Sequence, residues 1–415
     1  MNAAPVGRPS AVRIIQALRD GSNCLEGVEF FSAGREVLFR AAEEVLDELE
    51  VTDGCVVRWL KGRYGHGKTH TFARLLAMAH RRNWVTTYVQ ISGQGEGTDL
   101  SRFDGVFSSI TQNCLCGKMV EEEQGKMNPG RVPGWKWILD GWCDALKRQA
   151  GTAAAGGIPG LVLRDVISQT MTGLQQKWAI HGSFAYALRQ YALSQADTDT
   201  EMVNLLHDWF RGENVHARGG EIRKRLKEAG ILESVKKQNA REMLCYMSAF
   251  LRYRGFMGFL ILFDEVENVL RYTPRARRTA YTHLRELIDN VDARHGIRST
   301  CFYAAGTPDL FDGEKGFTEY EALAARVLLP RGDRPNPRAP LVDLSEYPLQ
   351  RSDFAAMAEK VVGVYATAKG QPAPAAPPVW VGDLLKKSLI ENPDLNARQW
   401  IRQVVATLDT DGMAA

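Results

Sequence analysis

Eight consecutive residues, Gly62-Arg63-Tyr64-Gly65-His66-Gly67-Lys68-Thr69, place glycine, lysine and a hydroxyl at the spacing of a phosphate-cradling loop. The chemistry needs those types. Gly62, Gly65 and Gly67 free the backbone for conformations closed to bulkier residues, so that successive N–H groups point at one anion. A helix starting near Lys68 would add the positive end of its dipole to the same phosphates. The Lys68 ammonium would bridge the terminal phosphates of ATP, and the Thr69 hydroxyl would ligate Mg²⁺. Tyr64, His66 and His70 lie on or beside the loop and join the candidate nucleotide contacts. The competing reading is a glycine-rich turn that matches by accident in a chain with 38 glycines.

A second constellation lies far downstream. The apolar run Phe259-Leu260-Ile261-Leu262-Phe263 leads directly into Asp264-Glu265. This is what Mg²⁺-dependent hydrolysis asks of the strand neighbouring the phosphate loop. Asp264 would hold the metal, and Glu265 would orient and deprotonate the attacking water. Taken alone, the pair reads equally well as a solvated strand end. Ala304-Ala305-Gly306-Thr307-Pro308 offers Thr307 as a sensor of the γ-phosphate, or else as a turn or helix-cap threonine before Pro308. Charge developing on a transferred phosphoryl group calls for arginine. Arg326, on the helix after the Thr307 strand, and Arg398, at the start of a late helix, are the candidates. Each competes with a solvated surface arginine.

These groups need a scaffold. Residues 55–60 read as a buried strand before the loop, and 72–79 as a helix after it. Residues 84–91 are β-branched and aromatic, and 300–305 and 341–344 give further strands. The unbroken apolar run at 259–263 is that of a strand covered on both faces of a parallel sheet. Helical patterns cover 10–21, a stretch from about Gly34 carrying Val37, Leu38, Ala41, Val45 and Leu46, and 279–291. From about 101 to 256 the chain is too long for one crossover helix. Helical patterns at 135–149, 183–194 and 236–254, broken by the Gly/Ala-rich 151–157, read as an insertion. The division is therefore a helical segment packing on the core (1–50), a nucleotide-binding core with its insertion (51–345), and a C-terminal helical lid (346–415). The lid is split by the proline-rich stretch 372–378.

Composition narrows the class. A hydrophobic content of 45% and a charged content of 24% suit a globular chain with a sizeable core. No apolar stretch is long enough to span a bilayer and the start carries no signal-peptide core, so the reading is cytoplasmic with no membrane partner. Seven cysteines, an odd number in apolar segments, point to reduced thiols. Cys114-Leu115-Cys116 lacks the second pair a zinc site needs. A net charge of +3 leaves any DNA contact to local clusters. Three exist: Arg271, Arg275, Arg277 and Arg278; Arg223, Lys224, Arg225 and Lys227; and Arg294, His295 and Arg298, in the turn before the 300–305 strand.

Together these residues resemble the AAA+ branch of the P-loop ATPases in its origin-recognition-like arrangement, an α/β fold with a parallel sheet flanked by helices and a helical lid. More narrowly, several runs resemble the BrxC/BrxD family of ATP-binding proteins from the BREX phage-defence systems. They are 14–21, Gly34-Arg35-Glu36, 62–70, Phe263-Asp264-Glu265-Val266-Glu267-Asn268, 305–311, 316–320 and 322–326. The likeness covers most of the chain and is weakest over 117–235. It implies a cytoplasmic antiviral ATPase working as a homo-oligomer beside methyltransferase, phosphatase-like and helicase partners. It also implies Lys68, Thr69, Asp264 and Glu265 as nucleotide and metal residues, Thr307 as first sensor, Arg326 as the finger and Arg398 as lid sensor. In AAA+ rings the turn before the sensor strand tends to face the pore, which makes Arg294, His295 and Arg298 the preferred DNA contacts. Two functions remain open: an oligomeric ATPase that remodels DNA or loads a helicase, and a nucleotide-gated scaffold that recruits defence partners with little turnover. A kinase is disfavoured by the acidic pair and the lack of an acceptor site.

Overall fold

A computed structural model describes residues 6–22, 27–117, 134–153, 159–289, 296–328, 334–374 and 378–411. Its strands are β1 (Cys55–Lys61), β2 (Val85–Gln90), β3 (Leu115–Cys116), β4 (Phe259–Asp264), β5 (Thr300–Gly306) and β6 (Leu341–Asp343). They form one sheet in the order β3-β2-β4-β5-β1-β6. Every pairing is parallel except that of β2 with the two-residue β3. β4 and β5 are buried along their whole length, as their unbroken apolar sequences require.

The register brings the chemistry to one edge. Lys61 lies opposite Gly306, Phe263 opposite Ala304, and Gln90 opposite Asp264, so the loop after β1 and the acidic end of β4 share the C-terminal side of the sheet. One expectation is corrected here. β4 is not the neighbour of β1: it pairs with β2 on one side and β5 on the other, which leaves no edge for β1. The Thr307 strand runs between them.

The helices are α1 (Arg8–Asp20), α2 (Glu36–Thr52), α3 (Lys68–Arg81), α4 (Phe103–Gln112), α5 (Gly134–Ala153), α6 (Pro159–Trp178), α7 (Gly182–Ala196), α8 (Thr200–Phe210), α9 (Gly220–Glu228) and α10 (Ala240–Tyr253). After β4 come α11 (Pro274–Ile288), α12 (Pro308–Asp312), α13 (Glu321–Val327), α14 (Arg351–Lys369), α15 (Val379–Glu391) and α16 (Ala397–Asp411). Alternation along the strands sorts side chains to two faces. Leu60, Leu260, Leu262, Cys301 and Tyr303 meet α2 and α3, whereas Trp59, Ile261, Phe263 and Phe302 belong to a core continuous with the insertion helices. Within the insertion, Trp135, Trp142, Phe210 and Phe250 pack edge on or tilted against one another. Each large apolar side chain so buried stabilises the fold by about 1.5–3 kcal/mol.

A third cluster joins the two ends of the chain. Ile14, Ile15 and Leu18 of α1 pack with Val361, Trp400 and Val404 of the C-terminal helices. The first fifty residues therefore serve two packing groups, α1 with α14 and α16, and α2 with the sheet. α14 stops at Gly370, a left-handed cap with φ +74°, where a side chain would be strained.

Candidate nucleotide site

The loop between β1 and α3 is fastened at both ends. The Gly62 N–H donates to the Gly306 carbonyl (3.1 Å), and α3 begins at Lys68 itself. Gly65 and Gly67 adopt φ +81° and +87°, the left-handed region that glycine enters freely. Gly62 needs no such freedom. It is not among the positive-φ glycines, and a Cβ there would meet nothing closer than 3.4 Å. Of the three glycines read as backbone hinges, two have that role.

Lys68 is 7% exposed and its Nζ donates to the Gly62 carbonyl at 2.8 Å. Burial lowers its pKa, opposed by the carboxylates of Glu267, Asp264 and Glu265. Thr69 Oγ1 donates to Asp264 Oδ2 at 2.8 Å, although 195 positions separate the two in sequence. The Tyr88 hydroxyl donates to the same oxygen at 2.8 Å, and the Glu265 N–H holds Oδ1 at 2.9 Å. Asp264 is thus buried and fixed by three donors. Two hard oxygen ligands converge, as Mg²⁺ prefers, and the N-terminus of a 14-residue helix backs the loop, as a polyphosphate prefers. The residues fit both groups.

Glu265 adopts φ +57°, unusual for a side chain, and the bend ends β4 and starts the 3-10 turn Val266–Arg271. Its Oε2 lies 3.4 Å from the Asn268 amide, which also donates to the Ile91 carbonyl. Thr307 follows Gly306, is 7% exposed, and heads α12 without a side-chain capping bond, so its hydroxyl is not spent on the helix. Tyr64 stands at the loop tip, 75% exposed.

Other residues named from sequence lie elsewhere. His70 turns to the N-terminal segment, with Nε2 2.7 Å from Ser32 Oγ and its ring against Phe31. Burial first, then Arg74 and Arg35, push its pKa down to about 4. The His66 carbonyl, rather than its ring, is the group in a firm contact, accepting from Arg35 Nη1 at 2.7 Å. Arg326 forms an ion pair with Asp289, at the end of α11, and donates to the Ala322 carbonyl. Arg398 is exposed in the first turn of α16. Its neighbour Asn396 is the residue that meets the loop. Arg298 precedes β5 on the opposite edge of the sheet, bound to Asp53 at 3.3 Å and lying over the Trp178 ring. Arg294 and His295 fall outside the described residues.

Sequence reasoning gave no role to Arg35 or Tyr88. Arg35 donates Nε to the Tyr347 carbonyl (2.8 Å) as well as Nη1 to His66, so it ties the loop to the chain beyond β6. Burial lowers its pKa to about 10, which leaves it charged. The run Gly34-Arg35-Glu36 was the available signal; for Tyr88 there was none.

A left-handed glycine loop on a helix N-terminus, a buried lysine and a hydroxyl–carboxylate pair at one sheet edge define a nucleotide-binding α/β protein. The chain belongs to the family described as BREX system ATP-binding protein BrxC/D, whose model matches residues 7–410. That membership makes it an ATP-binding protein of the BREX defence system. Searches of curated proteins and of solved structures return no match. Among the described residues no helix is long and apolar enough to cross a membrane.

Proposed function

We propose that the protein is a Mg²⁺-dependent ATPase of AAA+ type, acting in the cytoplasm as a homo-oligomer that couples hydrolysis to remodelling of DNA or of a helicase partner. The observation that carries this reading is the 2.8 Å contact between Thr69 and Asp264 beside the buried Lys68. The loop N–H groups and Lys68 would bind the phosphates, while Thr69 and Asp264 would hold the ion. Mg²⁺, when bound, neutralises charge on the phosphates. Glu265 takes the proton of the attacking water, and Thr307, joined to the loop through Gly306, senses the γ-phosphate.

The contact of Asn396 with Gly65 supports a lid at 346–415 that responds to nucleotide, with α1 moving as part of it, α2 belonging to the core (51–345), and Arg398 as its sensor. Arg326 would serve a neighbouring subunit only after leaving Asp289. Its engagement there favours a second reading, the nucleotide-gated scaffold with little turnover. For DNA, Arg294 and His295 remain the proposed contacts; Arg298 would first have to release Asp53.

Phosphate release and molecular mass, measured with and without duplex DNA, separate the two readings. The ATPase reading requires Glu265→Gln to keep ATP but lose roughly 10²-fold or more in rate. It also requires activity to return when that variant is mixed with Arg326→Ala. The scaffold reading requires negligible release from the wild type and intact partner recruitment by Glu265→Gln.

A further inference from the structure

Glu267 is 7% exposed, and neither of its carboxylate oxygens has a hydrogen-bond partner among the described residues. An ionised carboxylate removed from water without donors is costly, and such an orphan calls for a reason. It sits in the 3-10 turn that follows Glu265, close to the phosphate loop. Of the carboxylates acting on the Lys68 ammonium, that of Glu267 acts most strongly, ahead of Asp264 and Glu265. Its other neighbour is Tyr64, whose phenol ionisation is suppressed first by partial burial and next by Glu267.

These two loop residues are the donors within reach, and they differ in availability. Lys68 is committed to the Gly62 carbonyl at 2.8 Å, and a bound triphosphate would claim its ammonium. Tyr64 carries a neutral hydroxyl at the exposed tip of the loop, with Lys68 Nζ 5.1 Å from its ring centroid.

We propose that Glu267 is a positioning residue: once ATP fills the loop, its carboxylate accepts the Tyr64 hydroxyl and closes the loop tip over the terminal phosphate. The inference rests on the ATP reading of this site and adds to it a latch that governs how long nucleotide stays. An acceptor left unpaired in the empty protein then destabilises the empty form, and the bond made in the bound form offsets that cost. Removing the carboxylate should therefore stabilise the nucleotide-free chain while loosening its hold on ATP. A carboxylate kept only for structure would do the reverse.

The test uses the full chain and a fluorescent ATP analogue with Mg²⁺, with the dissociation rate and the melting temperature of the nucleotide-free protein as readouts. Glu267→Leu should raise that melting temperature by about 1–3 °C and speed dissociation roughly tenfold. Tyr64→Phe should speed dissociation by a similar factor, and the double variant should be no faster than either single one. Glu267→Gln, which keeps a carbonyl acceptor, should retain most of the hold. A lowered melting temperature in Glu267→Leu and Glu267→Gln alike, or single effects that multiply in the double variant, would overturn the latch while leaving ATP binding intact. Failure of the wild type to bind the analogue would overturn the ATP reading itself, and the latch with it.

Discussion

The amide nitrogen of Asn396 stands 3.1 Å from where a Cβ on Gly65 would be, so the C-terminal helices touch the phosphate loop at that point. Asn396 is held in place by a reciprocal cap of α16: its Oδ1 accepts the Gln399 N–H at 3.0 Å, and Gln399 Oε1 accepts the Asn396 N–H at 3.2 Å. Gly65 also has φ +81°, where a side chain costs about 1–2 kcal/mol. Gly65→Ala should accordingly weaken ATP binding by about tenfold or more. Gly62→Ala, with room for a Cβ, should weaken it far less. Calorimetric titration of the two variants checks the contrast.

Tyr88 tests how firmly the metal carboxylate must be held. Tyr88→Phe removes one of the three donors on Asp264 and leaves the ring, which packs edge on to Phe72. Loss of such an outer contact typically costs about 10–100-fold in metal affinity or activity. The Mg²⁺ concentration giving half-maximal ATP binding should rise by roughly tenfold, with melting temperature nearly unchanged.

Acid should destabilise the protein through histidine. His70 is neutral in the fold with a pKa near 4, against 6.5 as its ordinary value, because burial disfavours its charged form. The unfolded chain thus binds more protons between those two values. Stability from this group is complete above 6.5 and lost as pH falls towards 4. His80 and His207, also lowered to about 4 by burial, act in the same direction. Each adds at most about 1.4 kcal/mol per pH unit to the slope. Urea unfolding at about pH 7 and about pH 5 should show the loss, and His70→Gln should flatten it by close to one proton.

The ion pair of Arg326 with Asp289 bears on turnover. If Arg326 is the finger, Asp289→Asn frees it, and the ATPase rate should rise several-fold at protein concentrations where oligomers form. Arg326→Ala should abolish that rise. A rate indifferent to both changes would leave Arg326 as an ordinary surface ion pair, worth about 0–1 kcal/mol.

The loop and the acidic pair were legible because their signals are local: eight residues in a row, and an apolar run that stops at a carboxylate. Strand and helix positions followed from alternation and caps to within a few residues. What escaped lies in long-range choices. Nothing in the β4 sequence says that β5 will separate it from β1, since either edge of a buried parallel strand accepts any suitable partner. Arg35 reaches a carbonyl 31 positions away, and Tyr88 meets an aspartate 176 positions away; neither spacing leaves a trace in the chain. His70 follows the loop motif directly, yet its position on α3 turns it to Ser32, which only the packing of the N-terminal segment decides. Residues 1–50 read as one helical segment, while burial distributes them over two cores.

The most direct test of a magnesium–triphosphate complex between the loop and β4 is ATP affinity measured with and without Mg²⁺ in the wild type and in Asp264→Asn. The account predicts that Mg²⁺ tightens wild-type binding by roughly tenfold or more, and that Asp264→Asn still binds ATP but loses that gain. A wild type that ignores ATP, or a variant whose response to Mg²⁺ is undiminished, would contradict it.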